Sequence, residues 1–192
     1  MKSLDDIWEE YINTEVLTPE TIKDLMWHLQ NDQESETYTM IIDMLVREIG
    51  DLLSQTFVPY LAKNLDSDDP YERERPVKSL VGRLRLAKYA EKALDMAKND
   101  TEPNVRALAA ASLGAVLDNV DPILRKKMAI YIYDAVTEDM YSDLHKEDAY
   151  QSVLEAMRVP INEWPSIELN TDVKKIVDKS LVKKFRKKYN VA

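Results

Sequence analysis

Asp100-Thr101-Glu102-Pro103-Asn104-Val105-Arg106-Ala107-Leu108-Ala109-Ala110-Ala111-Ser112-Leu113-Gly114 carries the clearest helical pattern in the chain. Asp100 makes a turn and Pro103 starts a helix, because proline at a first helical position has no N–H to leave unbonded. Val105, Ala109, Ala110 and Leu113 then recur at helical spacing, one apolar stripe facing neighbours. Alanines along that stripe let other helices approach closely.

Related residues recur along the chain. Thirty-three positions upstream, Pro103 falls on Pro70, Arg106 on Arg73, Ser112 on Ser79, Leu113 on Leu80 and Leu117 on Leu84. Forty positions downstream, Arg106 falls on Lys146, Ala109 on Ala149, Ser112 on Ser152 and Leu113 on Val153. A weaker copy lies 68 residues upstream, with Val105 on Thr37 and Leu113 on Leu45. Gly50, Gly82 and Gly114 are spaced by 32, one residue out of register with the prolines.

Asp100-x-x-Pro103-x-Val105-Arg106-x-x-Ala109-Ala110-x-x-Leu113-Gly114 resembles the second-helix signature of HEAT-like repeats. The resemblance implies antiparallel helix pairs stacked into a right-handed α-α superhelix, a HEAT/armadillo-like solenoid. In that family the Asp and Arg link successive repeats, which carries over to Asp100 and Arg106, and more weakly to Asp68 and Arg73. The resulting plan is all-α: about four helix pairs between terminal capping helices. Residues 1–170 form the array, and residues 171–192 a basic capping helix of the same domain.

Helix signals place the elements. Ser3 caps a helix near 3–13, with Asp5 and Asp6 where carboxylates suit the dipole. Thr18-Pro19-Glu20-Thr21 starts another. First helices are expected near 19–31, 53–65, 87–98 and 121–137, and second helices near 35–49, 70–86, 103–118 and 146–158. Pro76 would cost about 3 kcal/mol inside a helix, so 70–75 reads as a looser turn with the regular helix beginning at Pro76. Pro160 stops the last pair, 161–170 is a linker, and Asp172–Tyr189 reads as one final helix.

Composition agrees. The 192 residues include three glycines, where average usage gives about 13. Glycine-hungry sandwiches, doubly wound sheets and phosphate loops are therefore disfavoured. The chain lacks cysteine, which removes disulfides, thiolate metal sites and cysteine nucleophiles. The acidic N-terminus is not expected to be a secretory signal, and no stretch approaches a membrane span. A cytoplasmic protein is the expectation.

Catalytic constellations are not legible. His28 and His145 are the two histidines, and neither has a second ligand one helical turn away. His145 beside Glu147 could bind something, but an interhelix or solvated histidine is the preferred reading. HEAT-like hydroxylases use His-Glu steps to hold di-iron, and such steps are absent. Asp66, Asp68 and Asp69 lack the glycine and trailing Glu of a calcium loop, and read as a turn. No enzyme activity, cofactor or metal is expected. Trp8 and Trp27 fit apolar stripes and are expected in the core. Ten tyrosines are many for this length, and exposed ones would favour protein recognition, but most, such as Tyr131 and Tyr150, could equally be core.

Charge is unevenly distributed. The net charge of −9 divides into −15 over residues 1–170 and +6 over 171–192. The body has the wrong sign for a phosphate backbone, unlike the basic groove of HEAT-like DNA glycosylases. The C-terminal helix carries Lys174, Lys175, Lys179, Lys183, Lys184, Arg186, Lys187 and Lys188 opposite Val173, Ile176, Val177, Leu181, Val182 and Phe185. It reads as a cap over the last repeat, the alternative being an anchor to nucleic acid or an anionic membrane.

The remaining candidate is a surface. Second helices of such arrays line a concave face, here marked by Asp43, Arg47, Glu74, Lys78, Arg85, Glu147, Gln151 and Glu155. Between them, Asn104, Ala107 and Ala111 make a small-residue saddle, open to a partner helix or closed by repeat packing. The expected function is non-catalytic binding of a basic protein partner. One concrete version is an immunity or antidote protein. The alternative is an enzyme or nucleic-acid binder on the same scaffold, using the basic C-terminal helix.

Overall fold

Capping chemistry sets the first helix. In the computed structural model, which describes residues 1–31, 51–165 and 173–191, α1 (Leu4–Thr14) opens with a capping box. Ser3 Oγ accepts from the Asp6 N–H at 3.2 Å, while the Asp6 carboxylate accepts from the Ser3 N–H. Every described element is helical, and no strand occurs among the described residues. The chain divides after Pro76 into two compact units.

In the first unit α1 packs on α2 (Pro19–Asn31), burying Ile7, Tyr11 and Leu25. Thr18 Oγ1 accepts from the Thr21 N–H, so the predicted start is a cap. Trp8 and Trp27 depart from expectation: 37% and 43% of their surfaces stay accessible. The α1 stripe buries Ile7 and Tyr11 instead. α3 (Asp51–Asn64) contains Pro59 and buries Val58 and Leu61. α4 (Pro70–Val77) follows a turn in which Asp69 Oδ1 accepts from the Tyr71 N–H. The helix expected near 35–49 lies outside the described residues.

Pro76 acts later than expected. Residues 70–75 are regular helix, and the irregularity follows the proline as a π-helix over Lys78–Arg83. Proline removes the N–H that would close on Glu72, and its ring crowds that turn. The ladder then widens, with the Leu84 N–H bonded to Ser79 O at 2.9 Å, five residues back. A π segment houses one extra residue. That accounts for the one-residue conflict between the proline and glycine spacings: twelve residues separate Pro70 from Gly82, and eleven separate Pro103 from Gly114.

The second unit continues with α5 (Ala90–Asn99), preceded by a 3₁₀ turn at Ala87–Tyr89, and α6 (Pro103–Ser112), which tightens into 3₁₀ over Leu113–Asn119. α7 (Pro122–Thr137) is capped by Asp121, and α8 (Asp143–Ala156), capped by Ser142, begins three residues before the predicted start. α5 packs on α6 and α7 on α8, and the short connections make each a returning pair. The π segment packs on α6, and α6 on α8, so these three elements lie in sequence, α6 between the other two. Leu80, Val105, Leu113, Ile132 and Val153 are fully buried among them.

Two glycines permit this stacking. A Cβ on Gly114 would stand 2.6 Å from Ser152 Cα and 2.7 Å from its carbonyl carbon. A Cβ on Gly82 would meet Ser112 Oγ at 3.2 Å. In both cases the glycine faces a recurring serine further along the chain. Ser152 Oγ completes its contact by accepting from the Gly114 N–H at 2.7 Å and donating to Ala110 O at 2.6 Å.

The final helix is two helices. α9 (Val173–Ile176) ends before Asp178, whose carboxylate caps α10 (Lys179–Lys188) by accepting from the Ser180 and Leu181 N–H groups. The Asp178 N–H donates to Tyr150 Oη at 3.0 Å. A continuous helix over this segment would forfeit both interactions. α10 packs on α7 and α8.

Candidate interaction surface

α8 carries the most distinctive group of side chains. Glu147, Asp148, Gln151 and Glu155 follow at spacings that bring them to one side of the helix. Asp148 is 8% exposed, and Gln151 Nε2 donates to its Oδ1 at 3.2 Å. Burial raises its proton affinity, the neighbouring Glu147 charge raises it further, and Lys78 offsets part of this. Its pKa rises from 3.8 to about 6. Burial also raises Glu147. Near neutral pH this face therefore carries an ionised carboxylate held in poorly solvating surroundings.

Arg85 and Glu155 meet across the second unit, Nη2 to Oε1 at 2.5 Å. Arg85 has φ 53°, a left-handed conformation at the end of the π segment where glycine is usual. A groove of about 590 Å³ adjoins the pair, lined also by Gly114, Asp118, Arg158 and Trp164. Arg158 is left-handed as well, at φ 58°.

Other predicted positions are placed as follows. Lys78 acts electrostatically on Asp148. Glu74 is half-buried in the first unit. Asn104 is exposed beside the start of α6, whereas Ala107 is 2% exposed and Ala111 half-buried. The saddle is therefore closed by packing at Ala107. Asp43 and Arg47 lie outside the described residues.

Arg106 holds the turn before its own helix: Nη1 donates to Asp100 O at 2.7 Å and to Thr101 O at 3.1 Å. Asp100 Oδ1 accepts from the Glu102 N–H. Arg73 repeats the arrangement, donating to Ser67 O and Asp68 O at 2.7 and 3.0 Å. The acceptors and donors are offset by the same 33 residues seen in the sequence.

At the C-terminus, Val182, Phe185, Tyr189 and Val191 are buried. Tyr189 Oη donates to Asp118 Oδ1 at 2.9 Å, and Lys188 Nζ donates to Asp118 Oδ2 at 3.2 Å and Ala156 O at 2.9 Å. Burial pushes the Asp118 carboxyl up, but the Tyr189 and Lys188 hydrogen bonds outweigh it and hold it below its usual value.

Sequence reasoning passed over Asp148, Asp118 and Tyr189. Asp148 follows Glu147 directly and lies one residue nearer the apolar stripe, a position that does not fix its depth. No sequence signal joins Asp118 to Tyr189, 71 residues away.

No helix among the described residues is long and apolar enough to cross a membrane. The chain matches no family model, no curated protein and no solved structure.

Proposed function

We propose that this protein is a non-catalytic binding module of HEAT-like helix pairs that engages a basic protein partner through the α8 face. Asp148 carries this reading. An ionised carboxylate at 8% exposure is costly, and a lysine or arginine from a partner would offset that cost on binding. Glu147 and Glu155 extend the negative field around it. The packing of α6 between the π segment and α8 and the repeated Arg73 and Arg106 turns support the HEAT-like assignment. A preformed helical surface binds with little ordering cost.

The role of an immunity or antidote protein masking a basic toxin is one form of this function, supported by the net charge of −9. The buried apolar side of α10 and its bonds to Asp118 support a capping role for the basic helix over an anchoring one.

The test is comparative affinity capture from the native host, using the wild-type chain and a Glu147→Gln/Asp148→Asn/Glu155→Gln variant. The wild type should retain a protein with a basic surface that the variant loses. Equal retention by both baits, or an acidic partner, would overturn the reading.

A further inference from the structure

A second feature lies away from the α8 acidic face. A cavity of about 570 Å³ opens between α5, α6, α7 and the start of α8. Three cations line it: Lys98 from α5, Arg106 from α6 and Lys127 from α7, against the single carboxylate of Asp134. Ile130, Met140 and Tyr141 supply apolar wall. In a chain of net charge −9, this concentration of positive charge runs against the overall balance.

His145 stands in the wall, 6% exposed. Its ring stacks on Tyr141, centroids 5.0 Å apart and planes 11° from parallel. Its Nε2 lies 2.7 Å from Tyr131 Oη, and Tyr131 Oη also donates to Ala97 O at 2.7 Å. The phenol has one proton and a carbonyl can only accept, so His145 Nε2–H must be the donor to Tyr131. Nδ1 is left with no hydrogen bond among the described residues, and it is not sealed from solvent. The ring is thus oriented by Tyr131 and Tyr141, with one nitrogen uncommitted.

We propose that this cavity binds a small organic tetrahedral oxyanion, a phosphate or sulfate ester, with its charged end among Lys98, Arg106 and Lys127 and its apolar body against Ile130 and Met140. Arg106 lines the cavity and uses Nη1 on the turn carbonyls, so its Nε and Nη2 donors are not spent on that turn. A phosphoryl or sulfuryl group fills a small part of the volume, and the rest accommodates an organic body, as in sites of roughly 300–1,000 Å³. An anion facing His145 favours the imidazolium, whose Nδ1–H becomes a further donor.

Binding is therefore coupled to proton uptake. In the empty site burial holds His145 below its usual 6.5, and Arg106 adds to this. The charged and titratable groups around the ring are Lys98, Arg106, Lys127, Asp134, Tyr131 and Tyr141. A bound anion outweighs Arg106, so the titration midpoint of His145 should rise on binding.

The experiment is an NMR titration of the full chain, following the ring signals of His28 and His145 with benzenesulfonate and, separately, phenyl phosphate. Benzenesulfonate keeps its charge across the pH range, so any pH dependence belongs to the protein. Saturable shifts at His145 but not His28 are expected, with at least tenfold weaker binding in Lys98→Ala/Lys127→Ala. Both lysines are exposed, so that variant should fold normally. A response to only one probe would identify the ester class. No saturable shift at His145 with either probe, or equal affinity in the double variant, would overturn the proposal.

Discussion

Asp148 and His145 put opposite slopes into the pH dependence of stability. Asp148 has a raised pKa, so the folded state binds its proton more tightly than the unfolded chain does. Its favourable contribution is complete below pH 3.8 and is lost as pH rises through about 6. Asp148→Asn keeps the oxygen facing Gln151 and removes the charge. Urea unfolding should find the variant more stable than wild type by up to about 3 kcal/mol at neutral pH, with the difference vanishing near pH 4. A variant no more stable at neutral pH would show that the carboxylate is well solvated. His145 has a lowered pKa, so its contribution is present above 6.5 and is lost as pH falls below that. At this scale the sequence displayed residue types and helical faces. It did not display depth: Asp148 and Glu147 are chemically similar neighbours, yet only one is enclosed.

Among elements, the glycines give the sharpest prediction. Gly114→Ala drives a methyl into the backbone of Ser152, which cannot move without displacing α8. The expected loss is about 3 kcal/mol or more, beyond ordinary overpacking. Gly82→Ala meets only a serine hydroxyl at 3.2 Å, and alanine is the better helix former. Its stability should stay within about 1 kcal/mol of wild type. Chemical denaturation of the two variants side by side checks the contrast, and equal losses would refute the packing asymmetry. The recurrence of glycine and serine was visible in the chain, but its meaning was not. Only the π segment after Pro76 explains why the glycine period is one residue shorter than the proline period.

At the scale of the molecule, the charge of −9 conceals a basic C-terminal helix on an acidic body. Phe185 is fully buried, and Phe185→Ala should destabilise the second unit by about 3–5 kcal/mol. Removing residues 171–192 should lower its thermal midpoint, read by circular dichroism at 222 nm. An unchanged midpoint in both would rule out the cap.

Helix identity and most helix starts belong to the sequence. Ser3, Thr18, Pro103 and Asp121 act on backbone groups within a few residues, and a period of 3.6 needs no distant partner. Tertiary structure alone decided the rest: the depth of Asp148, the exposure of Trp8 and Trp27, the break at Asp178 and the cationic cavity beside His145. Each depends on which remote segment removes water from a side chain or offers it a partner. Tyr150 lies 28 residues from Asp178, and Asp118 lies 71 from Tyr189. Desolvation and pairing over such separations are set by how helices stack, a property that no local stretch of chain contains.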